Sequence, residues 1–155
     1  VTRFGKITAL FPTIRNVGQK EVDGWRVEPL QQVNTYQATT LASVDSSGDF
    51  WLGTFGNGLF RLSADSLTNY DEQNTTLIGN SEGAQYVVIN GLAVDSRFVY
   101  AACYRAVNGM PVAIARLADI DNPSSWMALG LADGITDIFA SALDVHGSYL
   151  AYGTE

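Results

Sequence analysis

The sequence predicts an all-β chain made of repeated four-stranded antiparallel units, and three observations carry that reading. An aspartate follows a short apolar segment at Asp45, Asp95 and Asp144, a period of about fifty residues that marks a solenoid, propeller or array. The pairs Asn57-Gly58 and Asn108-Gly109 keep the same phase and punctuate runs of strand-forming residues. No sustained window carries the roughly 3.6-residue periodicity of an amphipathic helix, which argues against leucine-rich, ankyrin and tetratricopeptide solenoids.

Each unit opens on a strand of small and aliphatic residues, 40–44, 90–94 and 139–143, as expected where a strand is covered on both faces. The second strand follows the aspartate at 50–54, 98–102 and 149–153 and is rich in aromatic and β-branched residues. The Asn-Gly turns, expected to hold positive φ at both central residues, lead into third strands at 59–62 and 112–117. More polar segments at 66–70 and 125–129 suit an outer, solvent-facing fourth strand.

Four such strands describe the blade of a β-propeller. Residues 38–87 and 88–137 form whole blades on this reading, while 138–155 begins, and 1–37 ends, a blade split between the chain ends. A third strand is expected at 4–11 and a fourth at 24–30. The 155 residues are then a single propeller segment of about three blade equivalents. A ring takes about four to eight blades, so the remaining blades are expected from the same longer chain or from another copy. The start at Val1 rather than methionine favours the longer chain.

Composition narrows the partners. A net charge of −7 disfavours nucleic acid and anionic membrane surfaces, whose binding rests on Lys and Arg neutralising phosphates. No apolar run approaches the ~18 residues of a spanning helix. Cys103 is the only cysteine, so no intrachain disulfide forms, and its strand-like setting predicts a buried, inert thiol.

The stretch 41–62, with Asp45, the Gly48 turn, Trp51-Leu52-Gly53-Thr54 and then Gly58-Leu59 leading into a strand, resembles the two-component regulator propeller repeat. Residues 68–77 resemble that family's outer strand and its onward link. In the following unit Val99 is read at the tryptophan's position and Ala101-Ala102 at the Gly-Thr position. The resemblance implies a blade from an extracytoplasmic sensor region of a bacterial hybrid histidine kinase or a related secreted propeller, hence a periplasmic, cell-surface or secreted location. It implies no catalytic residue, because the repeat motif is itself structural.

Trp51 sits mid-strand and is expected in the core; Trp25 and Trp126, two periods apart, are expected to pack at blade edges rather than to stack sugars. The repeated aspartates are expected to accept backbone N–H bonds that fix a bend. The segment 119–122 lacks the glycine and distal glutamate of a calcium hand and reads as a turn. Tyr36 and Tyr86 fall in the same phase on connections entering first strands, which in a propeller share one face with the second-to-third-strand turns. A ligand-binding set of Tyr36, Tyr86, Asn57, Arg105 and Asn108 is therefore expected at that mouth, packing of the tyrosines over the blade tops being the structural alternative.

The function expected is a non-catalytic module binding a glycan, a peptide or a neighbouring protein domain, with no cofactor and no metal. Two alternatives stand beside it. One is a lyase or glycoside hydrolase fragment using Asp133 and Asp137 as its acidic pair, and the other is a purely structural self-assembly module.

Overall fold

The computed structural model describes residues 9–10, 17–22, 25–28, 39–63 and 66–154. It divides into two compact units, residues 1–39 and 40–155.

In the first unit β1 (Ala9–Leu10), β2 (Val17–Val22) and β3 (Trp25–Glu28) form an antiparallel sheet in the order β1-β2-β3. β1 falls within the expected third strand and β3 within the expected fourth. β2, rich in polar residues apart from its terminal valines, is a strand that the sequence reading did not name.

Among the described residues the second unit carries ten strands. They are β4 (Thr39–Val44), β5 (Phe50–Gly56), β6 (Leu59–Leu62), β7 (Leu67–Tyr70), β8 (Val87–Val94), β9 (Phe98–Cys103), β10 (Val112–Arg116), β11 (Trp126–Leu129), β12 (Ala140–His146) and β13 (Tyr149–Thr154). The sheet order is β11-β10-β9-β8-β5-β6-β7 with β4 also paired to β5, and β12-β13 is a separate antiparallel hairpin. Two successive meanders, β4 to β7 and β8 to β11, are thus joined by one short antiparallel contact, Phe55↔Val88 and Gly56↔Val87. Among the described residues the only helical elements are single 3-10 turns at Leu117–Asp119, Pro123–Ser125 and Leu131–Asp133.

Alternation along β9 and β10 shows how the second meander is packed. Val99, Ala101, Cys103, Ala113 and Ala115 join Trp51, Leu59 and Tyr70 of the first meander in one core, while Ala102 and Val112 join Ala140 and Leu143 of the hairpin in another. The β12-β13 hairpin therefore covers the face turned away from the first meander. Small residues set the spacing between the layers: a Cβ on Gly91 would lie 2.6 Å from the Leu143 Cβ, and one on Gly53 would lie 2.8 Å from Ile89 Cγ2. A bulge between Ile89 and Gly91 shifts the alternation of β8, so that Leu92 and Val94 face the first core and Ala93 the second.

Two expectations about turns need correction. Asn57 and Asn108 do not take positive φ; only the glycines do, Gly58 and Gly109 both at 73°. The first turn is held instead by Thr54, whose backbone N–H and hydroxyl both donate to the Gly58 carbonyl. The second connection is a loop, residues 104–111, closed by the Cys103 N–H donating to the Pro111 carbonyl at 2.6 Å.

Trp126 lies on β11, the terminal strand of the sheet, and packs inward there. It is 4% exposed, donates its indole N–H to the Ile120 carbonyl at 3.0 Å, and lies 5.5 Å from the Tyr70 ring of the neighbouring meander. Tyr70 in turn donates its hydroxyl to Asp121 at 2.8 Å, which gives the 119–122 turn a structural acceptor. Desolvation, then the carboxylate it bonds, pushes the Tyr70 hydroxyl well above the usual phenol range.

Candidate functional site

Four segments gather at one end of the two meanders: the β5–β6 turn, the link 71–86 into β8, the loop 104–111, and the link 130–139 into β12. Backbone bonds tie them together. Gly58 N–H donates to Val87 at 2.9 Å, Val107 N–H to Gly79 at 3.1 Å, Tyr104 N–H to Val88 at 2.8 Å, and Arg105 N–H to Ile138 at 2.7 Å. Loops anchored in this way to a packed scaffold hold their side chains in fixed positions.

Tyr86 is half-buried and packs edge-on against Phe55, with ring centres 6.0 Å apart and planes at 84°. Arg105 has φ 57°, the one described residue other than glycine in the left-handed region. Its exposed guanidinium lies 5.6 Å from the centre of the Phe139 ring, which Tyr104 meets edge-on at 5.9 Å. Asn57 is half-buried in its turn and donates its backbone N–H to Thr54 Oγ1. Asn108 is exposed, and its side chain accepts the Met110 N–H at 3.0 Å, so its first role is to close the loop. Tyr86, Asn57, Arg105 and Asn108 thus share this end of the unit, and Tyr36 lies outside the described residues.

No family model, curated protein or solved structure matches this chain.

Three aromatic rings were missed by the sequence reading. Phe55 is 44% exposed and Phe139 36% exposed, with Tyr104 between them in the pattern of strands, because Phe55 pairs with Val88 and Tyr104 bonds to Val88 from the other side. Val107 and Met110 add exposed apolar surface on the same loop. Phe55 and Phe139 look like strand core in the sequence, but Phe55 lies in the part of β5 beyond its pairing with β6 and Phe139 just before β12, and both reach solvent.

The acidic pair weighed for hydrolysis serves the backbone. Asp133 Oδ2 accepts the Gly130 N–H at 2.9 Å, and Asp137 Oδ1 accepts the Phe139 N–H at 3.0 Å. Beneath them Tyr152 donates its hydroxyl to the Asp137 carbonyl at 2.9 Å; burial first and the Asp137 charge second push it up to about 12. Burial likewise raises the Cys103 thiol to about 11, a poor nucleophile at neutral pH. Among the described residues, no helix is long and apolar enough to cross a membrane.

Proposed function

We propose that the chain is a stretch of β-propeller whose loop face binds a glycan, a peptide or a neighbouring protein domain without covalent chemistry. The observation that carries this is two aromatic pairs on the loop face, Phe55 with Tyr86 and Tyr104 with Phe139, whose phenylalanines are exposed and tyrosines half-buried, with the Arg105 cation above Phe139 and backbone bonds tying the loops to a packed scaffold. Exposed aromatic rings offer large contact area with little rotamer entropy to lose, and an arginine adds a fixed cation.

Support for the propeller comes from the two successive meanders, the hairpin laid on the second of them, and the aspartate-centred turn that recurs between their first two strands. A closed ring takes about four to eight blades, so the proposal includes further blades, from the same longer chain or another copy. The resemblance of 41–77 to two-component regulator propeller repeats supports an extracytoplasmic place, in a bacterial sensor or surface protein.

The test is a binding screen of the chain against immobilised oligosaccharides and short peptides, repeated with a Tyr86→Ala, Arg105→Ala, Phe139→Ala variant. Loss of a specific signal with an unchanged melting temperature supports the loop face as the site. Binding retained by the variant puts the site elsewhere on the molecule.

A further inference from the structure

At the opposite end of the second meander, a cleft of about 290 Å³ is lined by Ser96, Arg97, Phe98, Arg116, Leu117 and Ala118. It owes nothing to the loop face: β9 and β10 run between the two, and Phe98 pairs with Arg116 at the cleft end of that ladder. The Leu117 N–H donates to the Arg97 carbonyl at 2.8 Å and holds the β8–β9 turn against the end of β10. Arg97 and Arg116 thus both line one concavity in a chain whose net charge is −7.

Among the described residues, neither guanidinium makes a hydrogen bond. Arg97 lies over the Phe98 ring, its guanidinium carbon 5.4 Å from the ring centre, and its side chain donates to no acceptor among the described residues. The adjacent carboxylate, Asp95, gives Oδ1 to the backbone N–H groups of Arg97 and Phe98 and Oδ2 to the Tyr100 hydroxyl. Arg116 reaches Asp119 only at 3.8 Å, too long for a hydrogen bond, and both side chains are largely exposed. Each guanidinium carries five N–H donors in a planar fork matched to an oxyanion.

We infer that this cleft binds a small monoanionic carboxylate carried on an apolar body. The forks of Arg97 and Arg116 would take the carboxylate, and Phe98, Leu117 and Ala118 would take the apolar part. The volume lies near the lower end of small-molecule sites, roughly 300–1,000 Å³, which fits a body the size of one ring. Asp95 and Asp119 beside the arginines favour a single negative charge over the double charge of a phosphate.

The experiment is an amide NMR titration of the chain with benzoate, with benzyl alcohol as its neutral counterpart, and with inorganic phosphate. Benzoate should shift the amides of residues 96–98 and 116–118, with benzyl alcohol and phosphate each binding at least about tenfold more weakly. Arg97→Gln and Arg116→Gln should each weaken benzoate by roughly tenfold, and the loop-face residues 104–110 should not respond. Benzyl alcohol binding as well as benzoate, phosphate matching it, or no shift in the cleft would each overturn the inference. Because that comparison uses the native chain, it holds even if a variant folds poorly.

Discussion

The indole N–H of Trp51 donates to Asp45 Oδ2 at 2.9 Å, and one repeat later the Tyr100 hydroxyl donates to Asp95 Oδ2 at 3.0 Å. In both turns the other carboxylate oxygen holds the backbone: Asp45 Oδ1 accepts from Ser47 and Asp49, and Asp95 Oδ1 from Arg97 and Phe98. One carboxylate therefore closes the bend and, through an aromatic tip, fixes the strand that follows. The β12-β13 hairpin lacks this device. Its two-residue turn follows His146, and Asp144 lies exposed in mid-strand, accepting only the Val145 N–H.

Removing Asp45 should cost more than removing Asp95. Asp45 is 7% exposed and its loss leaves the buried Trp51 N–H without an acceptor, whereas the Asp95 turn is half-buried and water can replace the carboxylate. An unsatisfied buried donor and a lost charged acceptor point to about 2–3 kcal/mol for Asp45→Ala, against about 1 kcal/mol for Asp95→Ala. Urea unfolding of the two variants measures the difference; equal losses would contradict this account of the turn.

Trp51→Ala should destabilise the chain by about 3–5 kcal/mol through lost burial and a residual cavity. Trp51 is 0% exposed, stacks on Tyr70 at 5.7 Å, and carries the Arg61 guanidinium 5.5 Å from its ring centre. Arg61 is itself anchored by Asp49 through Nε at 2.8 Å. Trp51→Phe keeps much of the packing but loses the bond to Asp45, so thermal melts should place it between Trp51→Ala and the native chain.

The strands around Asp45 and Asp95 were legible because aromatic second strands, aspartate turns and glycine punctuation act within a few residues of one another. Phase was harder. Sequence reading placed Val99 opposite Trp51, but the turn-closing bonds are Asp45 N–H to Asp49 and Asp95 N–H to Phe98, so the structural counterpart of Trp51 is Tyr100. The first turn is one residue longer, and a one-residue slip changes which face a strand side chain takes. The aromatic row left no local trace either. Phe55 meets Tyr86, and Tyr104 meets Phe139, across links of about thirty residues, and nothing in either strand pattern encodes those contacts.

Stability should fall as pH rises from about 9 towards 12. Burial holds Cys103 at about 11 against an ordinary 9.0, and burial with the Asp137 charge holds Tyr152 at about 12 against 10.0. Both groups bind their protons more tightly folded than unfolded. Their contributions are therefore complete below the unfolded values and are lost as pH climbs through the folded ones. Tyr70, raised in the same direction, adds to the alkaline loss. Urea midpoints for Cys103→Ala and Tyr152→Phe, followed from pH 8 to 11, should decline less steeply than the native midpoint. A native midpoint that is flat across that interval would contradict the burial of both groups.

Arg105 is where stability and the proposed binding should part. A left-handed φ of 57° costs a side-chain-bearing residue roughly 1–2 kcal/mol, and the Arg105 N–H bond to Ile138 holds the backbone in that state. Glycine takes this conformation without the Cβ penalty, although it loses more entropy on folding. Arg105→Gly should therefore be about 0.5–1 kcal/mol more stable than Arg105→Ala, which keeps the Cβ and discards the cation. Both variants lose the guanidinium above Phe139, so both should weaken whatever the loop face binds by a similar factor. Paired urea curves give the first comparison and the binding screen the second. Alanine matching glycine in stability would mean that the turn is not strained at this residue. Binding unchanged in both variants would remove Arg105 from the site.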